Sequence, residues 1–317
     1  MRLSVVATLY CSAPYLREFH RRVSETARRF AGSSYEIVLV NDGSPDDSLP
    51  IALELRAADP HLRVVDLTRN FGHHEAMWTG LTYARGEWIY LIDSDLEESP
   101  EWLSRIEAKR VETEADVVFG VQESRGGSWF NRLTGLAVYR LFNLLSTVPI
   151  PENVMTIRLM SRRYVDALLM HSETAFVISA LWARTGFQQV AIPLPKGCKP
   201  TTTYGLVRRV TMLVNSVTAF SEIPLFAIFY MGLALLASSS LVAAFLILRA
   251  LFFGRMLAGW PSMMVSIWFL GGLGLFCQGV LGIYLARVFQ ESKRRPLALV
   301  RHVHETEGAG DVAARAA

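Results

Sequence analysis

Charged residues and cysteines are scarce in this chain of 317 residues. Asp, Glu, Lys and Arg make up 19% of the sequence, the apolar types make up 51%, and the mean hydropathy is +0.27. These values are too apolar for an ordinary soluble domain. The net charge of +3 excludes a disordered polyelectrolyte and gives no reason to expect a nucleic-acid partner. The three cysteines, Cys11, Cys198 and Cys277, form no C-x-x-C pair, which argues against disulfides and zinc.

The apolar residues are concentrated in the last third of the chain. No side chain is charged at residues 223–248 or at residues 256–286. Each run is longer than the ~20 residues that cross the ~30 Å hydrocarbon core of a membrane. We therefore predict a two-helix transmembrane hairpin, with helices at 223–249 and 260–287. The alternative is a pair of helices buried in a protein core.

The basic residues around these runs predict the orientation of the hairpin. Lys and Arg are more frequent outside the hairpin than in its turn, and cytoplasmic segments carry this excess. The flanking residues are Arg208, Arg209, Arg287, Lys293, Arg294, Arg295 and Arg301, against Arg249 and Arg255 in the turn. We expect a multi-pass protein of the inner (cytoplasmic) membrane, with its catalytic domain and both termini in the cytosol.

The first 205 residues have ordinary charge density and alternate between two patterns. Runs rich in β-forming residues occur at 3–9, 35–40, 63–67 and 88–92, and stretches with helical spacing occur at 14–30, 47–58 and 73–84. This alternation predicts an α/β domain whose sheet is mostly parallel and flanked by helices. Ligands of such sheets bind beyond the carboxyl ends of the strands. Polar clusters occur at those positions here.

The first polar cluster is Asn41-Asp42-Gly43-Ser44-Pro45-Asp46-Asp47. One interpretation is a turn between strand and helix, in which Gly43 adopts a special backbone angle and Asp46 or Asp47 caps the next helix. The other is a site whose carboxylates accept hydrogen bonds from a nucleotide base or ribose. The residues alone leave both interpretations open.

The second cluster, Asp93-Ser94-Asp95-Leu96-Glu97, follows an apolar strand. Along an extended chain, Asp93, Asp95 and Glu97 would point to one side and repel each other unless a cation neutralised them. Carboxylate oxygens suit Mg²⁺ or Mn²⁺, which would in turn hold a diphosphate. The alternative is an acidic N-terminal cap for a helix that begins near Pro100.

Five motifs occur in a specific order along the chain. They are Asn41-Asp42-Gly43-Ser44, Arg69-Asn70-Phe71-Gly72, Asp93-Ser94-Asp95-Leu96-Glu97, Arg158-Leu159-Met160-Ser161, and Phe220-Ser221 with Pro224-Leu225 before the first apolar run. Together they resemble the polyprenyl-phosphate glycosyltransferases of inverting glycosyltransferase family 2, the relatives of dolichyl-phosphate mannose synthase and of bacterial undecaprenyl-phosphate sugar transferases. The resemblance covers roughly residues 2–303.

The resemblance implies a GT-A (Rossmann-like) glycosyltransferase domain that binds a nucleotide sugar across its first four strands. The positions that correspond to the donor site are Thr8, Tyr10, Asp42, Ser44, Arg69, Asn70 and Asp93. Asp93, Asp95 and Glu97 correspond to the site of the divalent metal, Mg²⁺ or Mn²⁺. Glu97 replaces the usual glutamine of the family, which adds a negative charge and should tighten cation binding.

The sequence departs from the family at Thr156, where relatives have an aspartate two residues before the arginine of the fourth motif. The implied acceptor is a lipid phosphate, whose second pKa near 6 leaves it largely dianionic at neutral pH. Such an oxygen needs no strong general base. We therefore expect catalysis to depend on Asp93 and Asp95, and on Arg125, Arg132 and Lys199 as holders of the acceptor phosphate. Each of these three cations could instead be a solvated surface residue.

Two further segments have amphipathic character. Residues 129–145 have apolar side chains at helical spacing with interspersed arginines, which fits either a core helix or a helix on the inner membrane leaflet. Residues 206–222 are similar and lead into the first apolar run, so we predict an interfacial helix there. Residues 288–317 are predicted to be a cytosolic basic segment followed by a disordered tail.

Together these features predict an inverting, metal-dependent enzyme that transfers one sugar from a nucleotide-sugar donor to undecaprenyl or another polyprenyl phosphate. Its partners would be the donor, the lipid acceptor and the bilayer. The resemblance also implies a homo-oligomer, a tetramer in relatives. The alternatives are a processive polysaccharide synthase and a catalytically idle membrane scaffold with a GT-A domain. The sequence does not identify the sugar.

Overall fold

The structure is a computed structural model that describes residues 1–122, 154–171, 178–195, 259–293 and 295–305, with scattered positions between 225 and 252. The chain divides into two compact units. The first consists of Met1–Tyr139, Val148–Thr203 and Arg295–Ala317, and the second of Arg140–Thr147 and Tyr204–Arg294.

Strands and helices alternate along the described part of the first unit. The strands are β1 (Leu3–Leu9), β2 (Tyr35–Asn41), β3 (Leu62–Leu67), β4 (Trp88–Leu91), β5 (Val117–Gln122), β6 (Val154–Ser161), β7 (Gln189–Leu194) and β8 (Val300–His304). The helices are α1 (Ala13–Ala31), α2 (Ser48–Ala58), α3 (His73–Tyr83), α4 (Leu103–Thr113), α5 (Arg162–Leu169) and α6 (Ile178–Arg184), and a 3₁₀ turn at Pro100–Trp102 precedes α4. The predicted bounds of the first four strands and first three helices are confirmed to within one residue.

All eight strands form one sheet in the order β7-β5-β6-β4-β1-β2-β3-β8. β1 is parallel to β2 and β4, and β2 is parallel to β3, as the α/β alternation predicts. Beyond these strands the sheet is mixed: β7 is parallel to β5, but β6 is antiparallel to β4 and β5, and β8 is antiparallel to β3. The prediction of a mostly parallel sheet did not include these antiparallel pairs. An antiparallel neighbour can be reached without a helical crossover, so helix–strand alternation does not reveal it.

The central strands are buried on both faces because helices pack on each side. Val5 belongs to the cluster that contains Phe19 of α1, and the next residue, Val6, belongs to the opposite cluster with Leu81 of α3. Successive side chains of a strand point to opposite faces, so a continuous apolar strand supplies both cores at once. The helices contribute apolar residues at intervals of three and four, such as Leu16, Phe19 and Val23 of α1.

β8 is an element that the sequence analysis did not predict. It lies within residues 288–317, which were expected to be a basic segment and a tail, and it pairs with β3 at the edge of the sheet, where Val303 faces Val65. Arg301 and Glu305 add ion pairs to Asp66 and Arg63 of β3. The predicted tail beyond residue 305 lies outside the described residues.

The described part of the second unit contains a long apolar helix, α7 (Trp260–Ser292). Its window Phe269–Ala286 has a mean hydropathy of 1.7 and is long and apolar enough to cross a membrane. It coincides with the second predicted span, 260–287. It is the one such helix within the described residues. The predicted helices at 129–145 and 206–222 lie outside the described residues, as does the first predicted span, 223–249, except for scattered helical positions.

Candidate active site

The loops after β1, β2 and β4 are linked to each other by short hydrogen bonds. The Ser94 hydroxyl donates to the carbonyl of Thr8 at 2.7 Å and lies 2.9 Å from the hydroxyl oxygen of Ser12. The backbone N–H of Cys11 donates to the Ser44 hydroxyl oxygen at 2.8 Å. The two polar clusters predicted at the carboxyl ends of the strands therefore meet at one edge of the sheet, as expected for a ligand site in an α/β domain.

Asp42 holds the loop between β3 and α3. Its buried carboxylate accepts the backbone N–H of Phe71 at 2.7 Å and that of Gly72 at 3.1 Å. This loop carries Arg69 and Asn70, whose side chains are exposed, and the Arg69 guanidinium lies 4.0 Å from the centre of the Phe71 ring. Asp42 thus positions two predicted donor residues while it lies in the predicted donor site itself.

Gly43 allows this loop to approach the turn after β2. Its φ is +55°, and a Cβ atom added to it would lie 2.4 Å from the backbone nitrogen of Asn70 and 2.5 Å from the carbonyl carbon of Arg69. Backbone atoms held by Asp42 cannot move away easily. Gly43 is therefore required both for its backbone angle and for the space it leaves.

Gly43→Ala is expected to lower the free energy of unfolding by about 3 kcal/mol, because it adds a backbone clash to the cost of a left-handed residue. Gly186→Ala is the control, since Gly186 also has a positive φ, +76°, with nothing within 4 Å of the added Cβ. We expect that control to cost about 1 kcal/mol. Denaturant unfolding of the two variants measures the difference, and equal losses would contradict the close-approach role of Gly43.

Asp46 has the capping role that the first interpretation of this cluster, a turn between strand and helix, predicts. Its carboxylate accepts the backbone N–H of Ala13 at 3.0 Å and of Ser48 at 3.1 Å, so it caps the starts of α1 and α2 together. The Ser44 and Ser48 hydroxyls also donate to it, at 2.5 and 2.6 Å. Burial raises the pKa of Asp46, but these hydrogen bonds outweigh it and bring the pKa to about 2. Among the described contacts, Asp47 makes no side-chain capping bond although it occupies the N-cap of α2.

The Asp93–Glu97 segment is a bent loop and does not continue the strand. β4 ends at Leu91, Leu96 has a φ of +60°, and the backbone N–H of Glu97 donates back to Asp95 at 3.0 Å. The premise that Asp93, Asp95 and Glu97 alternate along an extended chain is therefore wrong. The acidic-cap alternative also fails, because Ser99 is the N-cap of the turn at Pro100.

The described residues contain no preformed group of three or more His, Cys, Asp or Glu side chains that could hold a metal ion. The carboxylates of Asp93, Asp95 and Glu97 are nevertheless all partly exposed and lie within five residues. Mg²⁺ is commonly bound by one or two carboxylates together with substrate phosphates. The donor set therefore fits a metal that arrives with a diphosphate better than a metal held by the protein alone.

His73 connects β1 to the acidic loop at 93–97. Its Nδ1 lies 3.0 Å from the Thr8 hydroxyl and its Nε2 lies 3.4 Å from Asp93 Oδ1. The neighbouring His74 is more buried, and burial, followed by the effect of His73, lowers its pKa. The position of His73 at the start of α3 was predicted, but its contact with Asp93 was not.

Glu98 is the main residue of the site that sequence reasoning missed. Its buried carboxylate accepts the backbone N–H of Thr156 at 3.1 Å and that of Asp93 at 3.4 Å. It therefore joins the acidic loop to β6, at the position where the family has its aspartate. The sequence does contain a signal for this role, because Glu98 is acidic and directly follows Glu97. The assumed alternation pointed only to residues 93, 95 and 97.

Arg158 is buried beside this connection. Its guanidinium carbon lies 3.0 Å from the centre of the Trp182 ring, and its nitrogens donate to the carbonyls of Met155 and Thr156 at 3.2 Å. Burial lowers the pKa of Arg158 to about 9, although Tyr164 and Glu98 act in the opposite direction. This arginine of the fourth motif therefore supports β6 from within the core.

The other predicted donor residues have different exposures. Thr8 is buried, Ser44 is half-buried and Tyr10 is exposed at the end of β1. The predicted acceptor residues Arg125, Arg132 and Lys199 lie outside the described residues. The structure thus describes the residues predicted to bind the donor, and the roles of both the donor and the acceptor residues stay predictions.

Known glycosyltransferases are similar to this chain along nearly all of its residues. The profile of glycosyl transferase family 2 matches residues 4–169. A predicted glycosyltransferase of Mycobacterium tuberculosis is 46% identical over 307 residues, which is 97% of this chain and 90% of the relative. The bactoprenol glucosyl transferase of Shigella phage SfV is 31% identical over 305 residues, 95% of this chain and 99% of the relative.

Among solved structures, the mannosyltransferase PcManGT of Pyrobaculum calidifontis, in complex with GDP-Man and Mn²⁺, is similar with a TM-score of 0.46. It is 18% identical in sequence, and the match covers 92% of this chain and 86% of that protein.

The family profile covers more than half of the chain, and the 46% identity extends along nearly all of it. The mixed sheet, with its parallel β1–β4 portion and linked loops at the carboxyl ends, is a GT-A-like α/β glycosyltransferase fold. The chain belongs to glycosyl transferase family 2.

Proposed function

We propose that this enzyme transfers a single sugar from a nucleotide-diphosphate sugar to polyprenyl phosphate, with inversion, at the cytosolic face of the inner membrane. The observation that carries the proposal is the alignment with bactoprenol glucosyl transferases, which spans 95% of this chain and 99% of the SfV enzyme. The likeness therefore includes the glycosyltransferase domain and the apolar helix α7. The product would be a lipid-linked sugar for glycan or cell-envelope modification.

The donor would bind over the carboxyl ends of β1 to β4. Thr8, Tyr10, Asp42 and Ser44 would receive the nucleoside, and the exposed Arg69 and Asn70 would face the diphosphate. Asp93, Asp95 and Glu97 would hold Mg²⁺ or Mn²⁺, which neutralises charge on the departing diphosphate when bound. The link from Thr8 through His73 to Asp93 keeps the nucleoside side and the acidic side of this site in register.

The acceptor phosphate would be held by Arg125, Arg132 and Lys199 and would attack the anomeric carbon directly. A bond forms between its oxygen and that carbon while the bond to the diphosphate breaks, so the nucleoside diphosphate leaves with the electron pair. One displacement inverts the configuration. The dianionic phosphate has no proton to lose, so a carboxylate at Thr156 is not needed.

Thr156→Asp is expected to change turnover by less than about tenfold, because no base is missing. Were the family's aspartate a general base, restoring it would raise turnover by about 10²- to 10⁴-fold. Thr156→Asn is the control, since it has nearly the same shape without the charge beside Glu98. Turnover is measured with saturating donor and acceptor, and a rise of orders of magnitude with aspartate alone would overturn the base-free mechanism.

The pairing of β8 supports our proposal of a two-span hairpin, provided that α7 crosses the membrane. β8 lies in the same sheet as β1, so the chain leaves this domain before unit two and rejoins it afterwards on the same side of the membrane. The number of crossings between must then be even. One candidate is α7, and the charge-free residues 223–248 would supply the other. We also propose that the protein forms a homo-oligomer. Gln278 of α7 would make a hydrogen bond to another helix, either within the hairpin or across the oligomer interface.

The test is transfer of radiolabelled sugar to undecaprenyl phosphate by the full chain in detergent or nanodiscs, with Mn²⁺ present. UDP-glucose is the first donor, because the named relatives are glucosyl transferases, and UDP-galactose, UDP-GlcNAc and GDP-mannose complete the panel. We expect one lipid-linked monosaccharide with a single preferred donor. Long polymer would favour a processive synthase, and no product with any donor would favour a membrane scaffold.

A further inference from the structure

β8 places Arg301 at the carboxyl end of β3, where the loop with Arg69 and Asn70 begins. One terminal nitrogen of Arg301 donates to the carbonyl of Thr68 at 2.7 Å, and the other lies 3.4 Å from Asp66 Oδ2. The backbone N–H of Thr68 donates to the carbonyl of Leu299 at 2.9 Å. The strand that follows the apolar helix is therefore bonded directly to the first residue of a donor loop.

Asp66 connects Arg301 to the other donor loop, at residues 41–44. Its Oδ1 accepts from the side-chain amide of Asn41 at 2.8 Å, and Asn41 Oδ1 accepts the backbone N–H of Ser44 at 3.3 Å. Ser44 in turn accepts the N–H of Cys11. A continuous chain of contacts therefore runs from Arg301 through Asp66 and Asn41 to the turn that carries Ser44.

The charges explain why Arg301 matters to this chain of contacts. The Asp66 side chain is only 4% exposed, and a buried carboxylate is costly unless a cation and hydrogen bonds compensate it. Asn41 provides a neutral hydrogen bond, and Arg301 provides positive charge together with a bond to Thr68. Removal of Arg301 would favour a shift of Asp66 toward water, which would draw Asn41 away from Ser44.

The opposite end of β8 is anchored independently of the site. Glu305 Oε2 lies 3.0 Å from Arg63 Nε and 3.2 Å from Arg85, and the Arg56 side chain donates to the carbonyl of Glu305 at 2.6 Å. Arg63 also pairs with the buried Glu36 at 3.1 Å. These contacts lie at the amino end of β3, so they stabilise β8 without touching either donor loop.

We propose that Arg301 is a positioning residue for nucleotide-sugar binding, which acts through Asp66 and Thr68 on the two donor loops at 41–44 and 68–72. This proposal rests on the proposed function, because it assigns Arg301 a part in that donor site. In this proposal β8, the strand after α7, contributes to donor binding as well as to the sheet.

The test compares Arg301→Ala and Arg301→Lys with Glu305→Gln in the full chain. With the donor that the wild type uses, we expect Arg301→Ala to raise the donor KM about tenfold and to leave kcat within about threefold, because ground-state binding is lost and the reacting groups are intact. Arg301→Lys should lie between, since a lysine can pair with Asp66 but cannot bridge to Thr68 with a second fork nitrogen. Glu305→Gln should lower thermal stability and leave the donor KM unchanged.

Amide hydrogen exchange of the donor-free protein supplies a readout that does not need transfer activity. Arg301→Ala should speed exchange in segments 41–44 and 68–72, and Glu305→Gln should not. Equal KM values or equal exchange in the two variants would overturn the proposal. If the wild type transfers sugar from no donor, the proposed function fails, and the exchange comparison alone decides the role of Arg301.

Discussion

Replacing Asp95 with asparagine is expected to lower the rate of sugar transfer about a thousandfold, because the proposed metal site would lose one of its carboxylates. Asparagine keeps an oxygen that can accept the N–H of Glu97, now 3.0 Å from Asp95, so the loop should retain its shape. The unfolding temperature should therefore stay close to that of the wild type. Initial rates with saturating donor and Mn²⁺ measure the effect.

Two variants with the same charge change are the controls for Asp95→Asn. Glu97→Gln lies in the same loop and introduces the glutamine that the family resemblance implies at this position, so we expect a loss of no more than about tenfold. Glu54→Gln removes an exposed carboxylate that pairs with Arg17 on the helical surface, and it should leave the rate unchanged. If Asp95→Asn behaved like Glu54→Gln, the acidic loop would not be the metal site.

Glu98→Ala is expected to lower the free energy of unfolding by about 4 kcal/mol, because two part-buried N–H groups lose their acceptor and the buried Arg158 loses a negative neighbour. The N–H groups belong to Asp93 and Thr156, so the acidic loop and β6 would separate. We also expect a higher Mn²⁺ concentration for half-maximal rate. Denaturant unfolding and a metal titration measure the two effects.

Glu101→Ala is the matched control for Glu98→Ala. Glu101 follows the same loop and pairs with Arg22, but its side chain is 42% exposed. The hydrogen bond from Arg22 lowers the pKa of Glu101 to about 2, yet solvent screens such a pair, so we expect a loss of about 1 kcal/mol or less. Similar losses in the two variants would mean that burial at Glu98 is not what matters. Glu98→Gln should lie between them, because its amide group can accept only one of the two N–H bonds.

The first half of the fold could be predicted because its signals are local. β1 and β2 are short runs dominated by β-branched and other apolar residues, and α1 repeats its apolar residues at helical spacing, so each boundary is marked in the sequence itself. β8 could not be predicted in this way. It is five residues long, and its partner β3 lies more than two hundred residues earlier in the chain, so no local pattern records the pairing.

The residues of the candidate site could be predicted from the sequence, but their geometry could not. The order of the motifs identified the loops that meet, and Ser94, Ser12 and Thr8 join as expected from strand ends in a parallel sheet. The role of Glu98 was missed because periodicity applies only to regular backbone. Leu96 has a left-handed backbone conformation, which turns the chain. The side chains after it therefore do not alternate between two faces as they would along an extended strand.

β8 also determines when the transferase domain can be completed during synthesis. Without it, β3 would present an unpaired row of backbone N–H and C=O groups, the kind of open strand that invites wrong pairing and aggregation. Because β8 follows α7 in the chain, β3 stays unpaired on this side while the ribosome translates α7. The transferase domain therefore cannot complete this side of its sheet until residues 300–304 have left the ribosome and paired with β3.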